Sequence, residues 1–133
     1  MTASADPLAR LVVDEAAVNR ELLASLLENK IRLDLTQGSF TFQQGMRVHL
    51  NNRQRVLIAL LAQKALHLLA DQYAEALLPR EIDAVTGVKP GTLRPILKQF
   101  ADRRVIRQDE DRAYYIPGYA LEDAAQLLGV TDD

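Results

Sequence analysis

LPREIDAVTGVKPGTLRPILKQFADRRVIRQDEDRAYYIP, residues 78–117, reads as a short helix, a tight turn, a second helix and a hairpin. Pro79 suits the first turn of a helix, where its missing N–H would be unpaired in any case. Ile82 and Val85 give that helix one buried edge, and Gly87 stands where a helix ends on a residue free to take positive φ. Lys89-Pro90-Gly91 reads as turn, so the second helix starts near Thr92 and Pro95 falls harmlessly in its first turn. Leu93, Ile96, Leu97 and Phe100 recur at i, i+3, i+4 and i+7, which is one side of that helix.

Beyond it, Val105-Ile106-Arg107 is a short strand, Gln108 to Arg112 a charged turn and Ala113-Tyr114-Tyr115-Ile116 a second strand, ended by Pro117-Gly118. Two helices joined by a short Gly-containing turn make a helix-turn-helix. The pattern E-I-x-x-x-T-G-V, then T-L-R-x-I-L-K-x-F-x-x-R-x-V-I and a hairpin ending Y-Y-I-P, resembles the winged helix-turn-helix superfamily over residues 51–117. The resemblance implies that the second helix is a recognition helix for double-stranded DNA and that the hairpin is the wing. The expected fold is mostly α within an α+β class. A flexible N-terminus, 1–13, leads to a helix plus β-hairpin extension at 14–50. The winged helix-turn-helix follows at 51–117, then a C-terminal helix and tail at 118–133.

The remaining segments supply the packing partners. Asp14 reads as the N-cap of a helix through Asn29, with Glu15 in its first turn and Ala17, Leu22, Leu23, Leu26 and Leu27 as an apolar stripe. The alternation of 31–36 and 40–43 around Gln37-Gly38-Ser39 is a β-hairpin whose apolar face is Ile31, Leu33, Leu35, Phe40 and Phe42. Met46, Val48 and Leu50 extend it or form a packed linker. Asn51 or Asn52 then caps a helix through Ala70 that is apolar around most of its circumference, as a central helix is. Residues 71–78 continue it or turn back. Leu121, Ala124, Ala125 and Leu128 share one face of a last helix over 120–128.

At 133 residues, 48% hydrophobic and 26% charged, the composition is that of one globular domain. Cysteine is absent, which removes disulfides and thiolate chemistry. The apolar run 56–62 is too short to span a membrane, and Met1 to Arg10 lacks the pattern of a signal peptide. A cytoplasmic protein with no membrane partner is the expectation.

Chemistry is sparse. His49 and His67 stand 18 positions apart with no ligand spacing, so no metal and no cofactor are expected. Gly87 and Gly91 read as turn glycines, and the pairs in Asp109-Glu110-Asp111 and Glu122-Asp123 as surface carboxylates, so no catalytic residue is assigned.

Charge distribution is more telling than its net value of −2. Residues 87–107 hold Lys89, Arg94, Lys98, Arg103, Arg104 and Arg107 against Asp102 alone, a local +5. Such a run is usually a solvated helix face; its place within the helix-turn-helix makes it a candidate DNA-binding surface. With the apolar row inward, Lys89, Gly91, Thr92, Arg94, Pro95 and Lys98 face outward. Arg94 has the planar fork that reads guanine, and Thr92 suits a thymine methyl or a phosphate. Lys89, Lys98, Arg103 and Arg104 suit phosphates, while Arg107 and Arg112 flank the wing. The wing tip Gln108-Asp109-Glu110-Asp111 is acidic and would be repelled by DNA. The expected function is a small dimeric transcriptional regulator, with homodimerisation through 14–50 and the C-terminal helix. The alternative is a winged-helix adaptor whose partner is a protein.

Overall fold

The computed structural model describes residues 7–8 and 19–129. Its order is α1 (Arg20–Leu27), β1 (Ile31–Asp34), β2 (Ser39–Phe42), α2 (Met46–His49), α3 (Asn52–Leu69), α4 (Pro79–Thr86), α5 (Pro90–Asp102), β3 (Arg107–Gln108), β4 (Tyr114–Tyr115) and α6 (Leu121–Gly129). The protein is mostly helical, with two short antiparallel hairpins.

The central element is α3. Asn51 caps it: its side chain accepts from the Gln54 amide, and the Gln54 side chain accepts from the Asn51 amide, so two orphan donors are satisfied reciprocally. Every residue from Val56 to Leu66 is buried, and α1, β1, β2, α4, α5, β4 and α6 all pack against this helix. The burial extends to the polar Gln63 and Lys64. Gln63 Nε2 and His67 Nδ1 donate to the Ala74 and Tyr73 carbonyls, and Lys64 Nζ meets Glu75 Oε2 at 2.6 Å. Three polar side chains of α3 therefore hold the loop 70–77, which turns back instead of prolonging the helix. Leu77 at its end exchanges backbone hydrogen bonds with Tyr114, at 2.9 and 2.8 Å. That ties the β3–β4 hairpin to the body of the protein.

The first hairpin has the expected strands, with Ile31 opposite Phe42 and Leu33 opposite Phe40. Leu35 departs from the expected apolar face: it lies in the turn and is 45% exposed. The cause is Asp34, whose carboxylate accepts from the Thr36 and Gln37 amides and ends the strand two residues earlier. Gly38 completes the turn at φ +67. The Met46–Leu50 segment is a single helical turn with Leu50 buried beneath it.

In the first helix, Asn19 is the N-cap, accepting from the Leu22 amide at 3.0 Å. The expected cap Asp14, with Glu15 and Ala17, lies outside the described residues, as does most of the expected flexible N-terminus. The last helix buries Leu121, Ala124 and Leu128 against α1 and α3, so its apolar face is used within the chain.

Two boundaries in the decisive stretch also differ. The helix α5 starts at Pro90, with Lys89 as N-cap whose carbonyl accepts from the Thr92 and Leu93 amides. Pro90 fits the first helical position because its fixed φ is already helical. Pro95 then lies inside the helix rather than in its first turn. The carbonyl it leaves without a helical donor belongs to Gly91, which is exposed and can be served by water. The strand expected at 105–107 is displaced to 107–108. Val105 and Ile106 are both buried, which a one-faced strand does not allow, and the Val105 amide is already committed to the Phe100 carbonyl at 2.9 Å.

Candidate nucleic-acid interface

The turn between α4 and α5 is built by Thr86, Gly87 and a distant arginine. The buried Thr86 hydroxyl donates to the Ile82 carbonyl at 2.6 Å and accepts from the Val88 amide at 3.1 Å. Gly87 takes φ +76, which a side chain rarely tolerates. Arg47 of α2 donates through Nε to the Thr86 carbonyl at 3.0 Å, and its guanidinium fills the space that a Cβ on Gly87 would need. The α2 turn thus braces the angle between α4 and α5. Arg47 carried no sequence signal, because its partner lies 39 residues away.

The row Leu93, Ile96, Leu97 and Phe100 is buried as the spacing predicts, and it fixes which side of α5 faces outward. Gly91, Thr92, Arg94, Pro95, Lys98 and Gln99 are all exposed. They do not form one patch. At about 100° per residue, Arg94 and Lys98 are neighbours on one ridge, whereas Thr92 lies about 160° round the axis from Arg94. Thr92 instead borders a shallow groove of about 460 Å³ with Asn51, Asn52, Arg53, Pro95, Ile96 and Gln99. Asn52 and Arg53, both exposed, join the surface from the N-terminus of α3, a position that only the fold reveals.

The ridge carries its own counter-charge. Lys98 Nζ sits 3.3 Å from Asp102 Oδ2, both largely exposed, so the pair adds little to stability and can open towards another anion.

Arg103 and Arg104 follow at the end of α5. The Arg104 amide donates to the Ala101 carbonyl and the Val105 amide to the Phe100 carbonyl, a Schellman arrangement. Its left-handed residue is Arg104, at φ +63, where glycine is the usual occupant. The chain accepts a strained backbone and presents an exposed arginine there. Arg104→Gly is expected to raise the unfolding free energy by about 0.5–1 kcal/mol, because relief of the left-handed strain outweighs glycine's extra chain entropy. Urea denaturation of the two proteins measures this; a destabilised glycine variant would contradict it.

Arg107 is exposed on β3, opposite Tyr115, and Lys89 is exposed at the mouth of α5. The hairpin tip is held by Asp109, whose carboxylate accepts from the Asp111 and Ala113 amides at 2.9 Å. Asp109 and Asp111 line a cleft of about 440 Å³ together with Glu75 and Glu81. The hairpin side is therefore acidic well beyond its tip. Among the described residues no three His, Asp or Glu side chains gather closely enough to hold a metal ion, and no helix is long and apolar enough to cross a membrane. No protein-family model, curated protein or solved structure matches the chain.

Proposed function

We propose that residues 51–117 form a winged helix-turn-helix that binds double-stranded DNA with α5 in the major groove, as a small, non-enzymatic transcriptional regulator in the cytoplasm. The observation that carries this reading is α5 itself: one side is locked into the core by four buried apolar residues, and the other presents Arg94 and Lys98 to solvent. The succession of α3, α4, α5 and the β3–β4 hairpin has the order that the sequence resemblance implies. Arg94 is assigned to a guanine edge. Lys89, Lys98, Arg103 and Arg104 are assigned to phosphates, with Arg107 beside them and Thr92 and Arg53 on the α3 side. The β3–β4 wing stays clear of the duplex because its carboxylates would be repelled.

Fluorescence anisotropy with mixed-sequence duplex DNA across a salt series tests this. Four phosphate contacts correspond to a slope of about −3.6 in log affinity against log salt, and Lys98→Ala is expected to make it shallower by about 0.9. Arg94→Ala is expected to lose about ten-fold in affinity, near the low end for a bidentate base contact. Absence of binding at low salt, or binding indifferent to both variants, would overturn the assignment.

A second reading, a winged-helix adaptor for a protein partner, draws on the acidic cleft of Glu75, Glu81, Asp109 and Asp111, which suits a basic segment. Under it, Asp109→Asn with Asp111→Asn removes partner binding while Arg94→Ala leaves it intact.

A further inference from the structure

On the side built by the N-terminal extension, α1, β1 and the C-terminal end of α3 enclose an apolar groove of about 460 Å³. Leu23, Leu27, Ile31 and Leu68 form its floor, and Leu69 at its rim is 54% exposed. Three further lining residues, Arg20, Ala24 and Glu28, follow one another at four-residue intervals along α1, all exposed. A basic residue thus stands at one end of the stripe, an acidic residue at the other, and a small residue midway.

Neither charge suits its own helix. Arg20 is the first residue of α1, where the helix dipole favours an anion. Glu28 is its C-cap, where the dipole favours a cation, and the last turn holds no basic residue. Neither makes an ion pair among the described residues. Arg20 gives one N–H to the Leu68 carbonyl at 3.2 Å, which leaves the rest of its guanidinium donors available.

We infer that this face is the interface of a homodimer in which α1 packs antiparallel on α1 of a second copy about a two-fold axis through Ala24. A two-fold axis at the midpoint of the stripe places Arg20 of each copy opposite Glu28 of the other, the two symmetric pairs lying about 12 Å apart along the helices at 1.5 Å per residue. Each misplaced charge then lies at the end of the partner helix whose dipole it favours. Ala24 lets the backbones approach, and Leu69 and the groove floor are covered. The inference is independent of DNA binding, since it is tested without nucleic acid.

Sedimentation velocity on the purified full chain tests it, with circular dichroism confirming that each variant is folded. The wild type is expected to dimerise, and Arg20→Glu or Glu28→Arg alone is expected to weaken the dimer about ten-fold or more, since two symmetric pairs become repulsive. The double variant Arg20→Glu/Glu28→Arg is expected to recover it. Mixing the two single variants is also expected to yield a dimer, because both cross-pairs are then attractive. A monomeric wild type, a dimer indifferent to either reversal, or no recovery in the swap and the mixture would each overturn the antiparallel α1 interface.

Discussion

Phe100→Ala is expected to lower the unfolding free energy by about 3–5 kcal/mol, the range for deleting a buried aromatic side chain. Phe100 is 2% exposed and is the last of the four inward residues of α5. Its backbone carbonyl also accepts from the Val105 amide, so the side chain is fixed where the helix ends. Urea denaturation measures the loss, and Phe100→Leu is expected to recover more than half of it, because leucine refills much of the cavity. A loss below about 1 kcal/mol would mean that this row does not hold α5 in place.

Glu75→Ala is expected to cost about 3 kcal/mol, the low end for breaking a buried pair, because Glu75 keeps a third of its side-chain surface in water. The Lys64 side chain is 2% exposed, so removal of its partner strands an ammonium group in the core. Lys64→Met combined with Glu75→Ala is expected to recover most of the loss, since no charge then remains to be solvated. Thermal or urea unfolding of the four proteins closes the cycle. If the double variant is no more stable than Glu75→Ala, the loss comes from the 70–77 loop and not from the buried charge.

These two sites mark the boundary of what the sequence makes legible. The inward row of α5 follows from its spacing alone, because a helix repeats every 3.6 residues whatever it packs against. The first hairpin follows equally from its alternation. Lys64 defeats the same logic: in a sequence a lysine reads as solvent-facing, and its partner Glu75 lies in a loop 11 residues away. Arg47 and Thr86, 39 positions apart, are invisible for the same reason. Pro95 misled the helix start, because proline propensity is weighed against an average helix and this one leaves the affected carbonyl in water. For the candidate site, the outward exposure of Lys89, Thr92, Arg94 and Lys98 was legible. The separation of Thr92 from Arg94 follows from their two-residue spacing within one helix, whereas the approach of Arg53 depends on the packing of α3 against α5.

The arginine at the left-handed end of α5 links stability to the proposed function. Glycine there fits the backbone better, so Arg104→Gly should trade firmer folding for weaker binding if the side chain meets a phosphate.

The central claim is that α5 and its flanking arginines meet duplex DNA while the acidic hairpin does not. Titrating the ¹⁵N-labelled protein with a short mixed-sequence duplex at low salt, and following backbone amides by heteronuclear NMR, tests it most directly. Salt-sensitive shifts are expected at Lys89, Thr92, Arg94 and Lys98 and at Arg103 and Arg104, with Glu110 and Asp111 unmoved. Shifts confined to the cleft of Glu75, Glu81, Asp109 and Asp111, or no shifts at all, would contradict it.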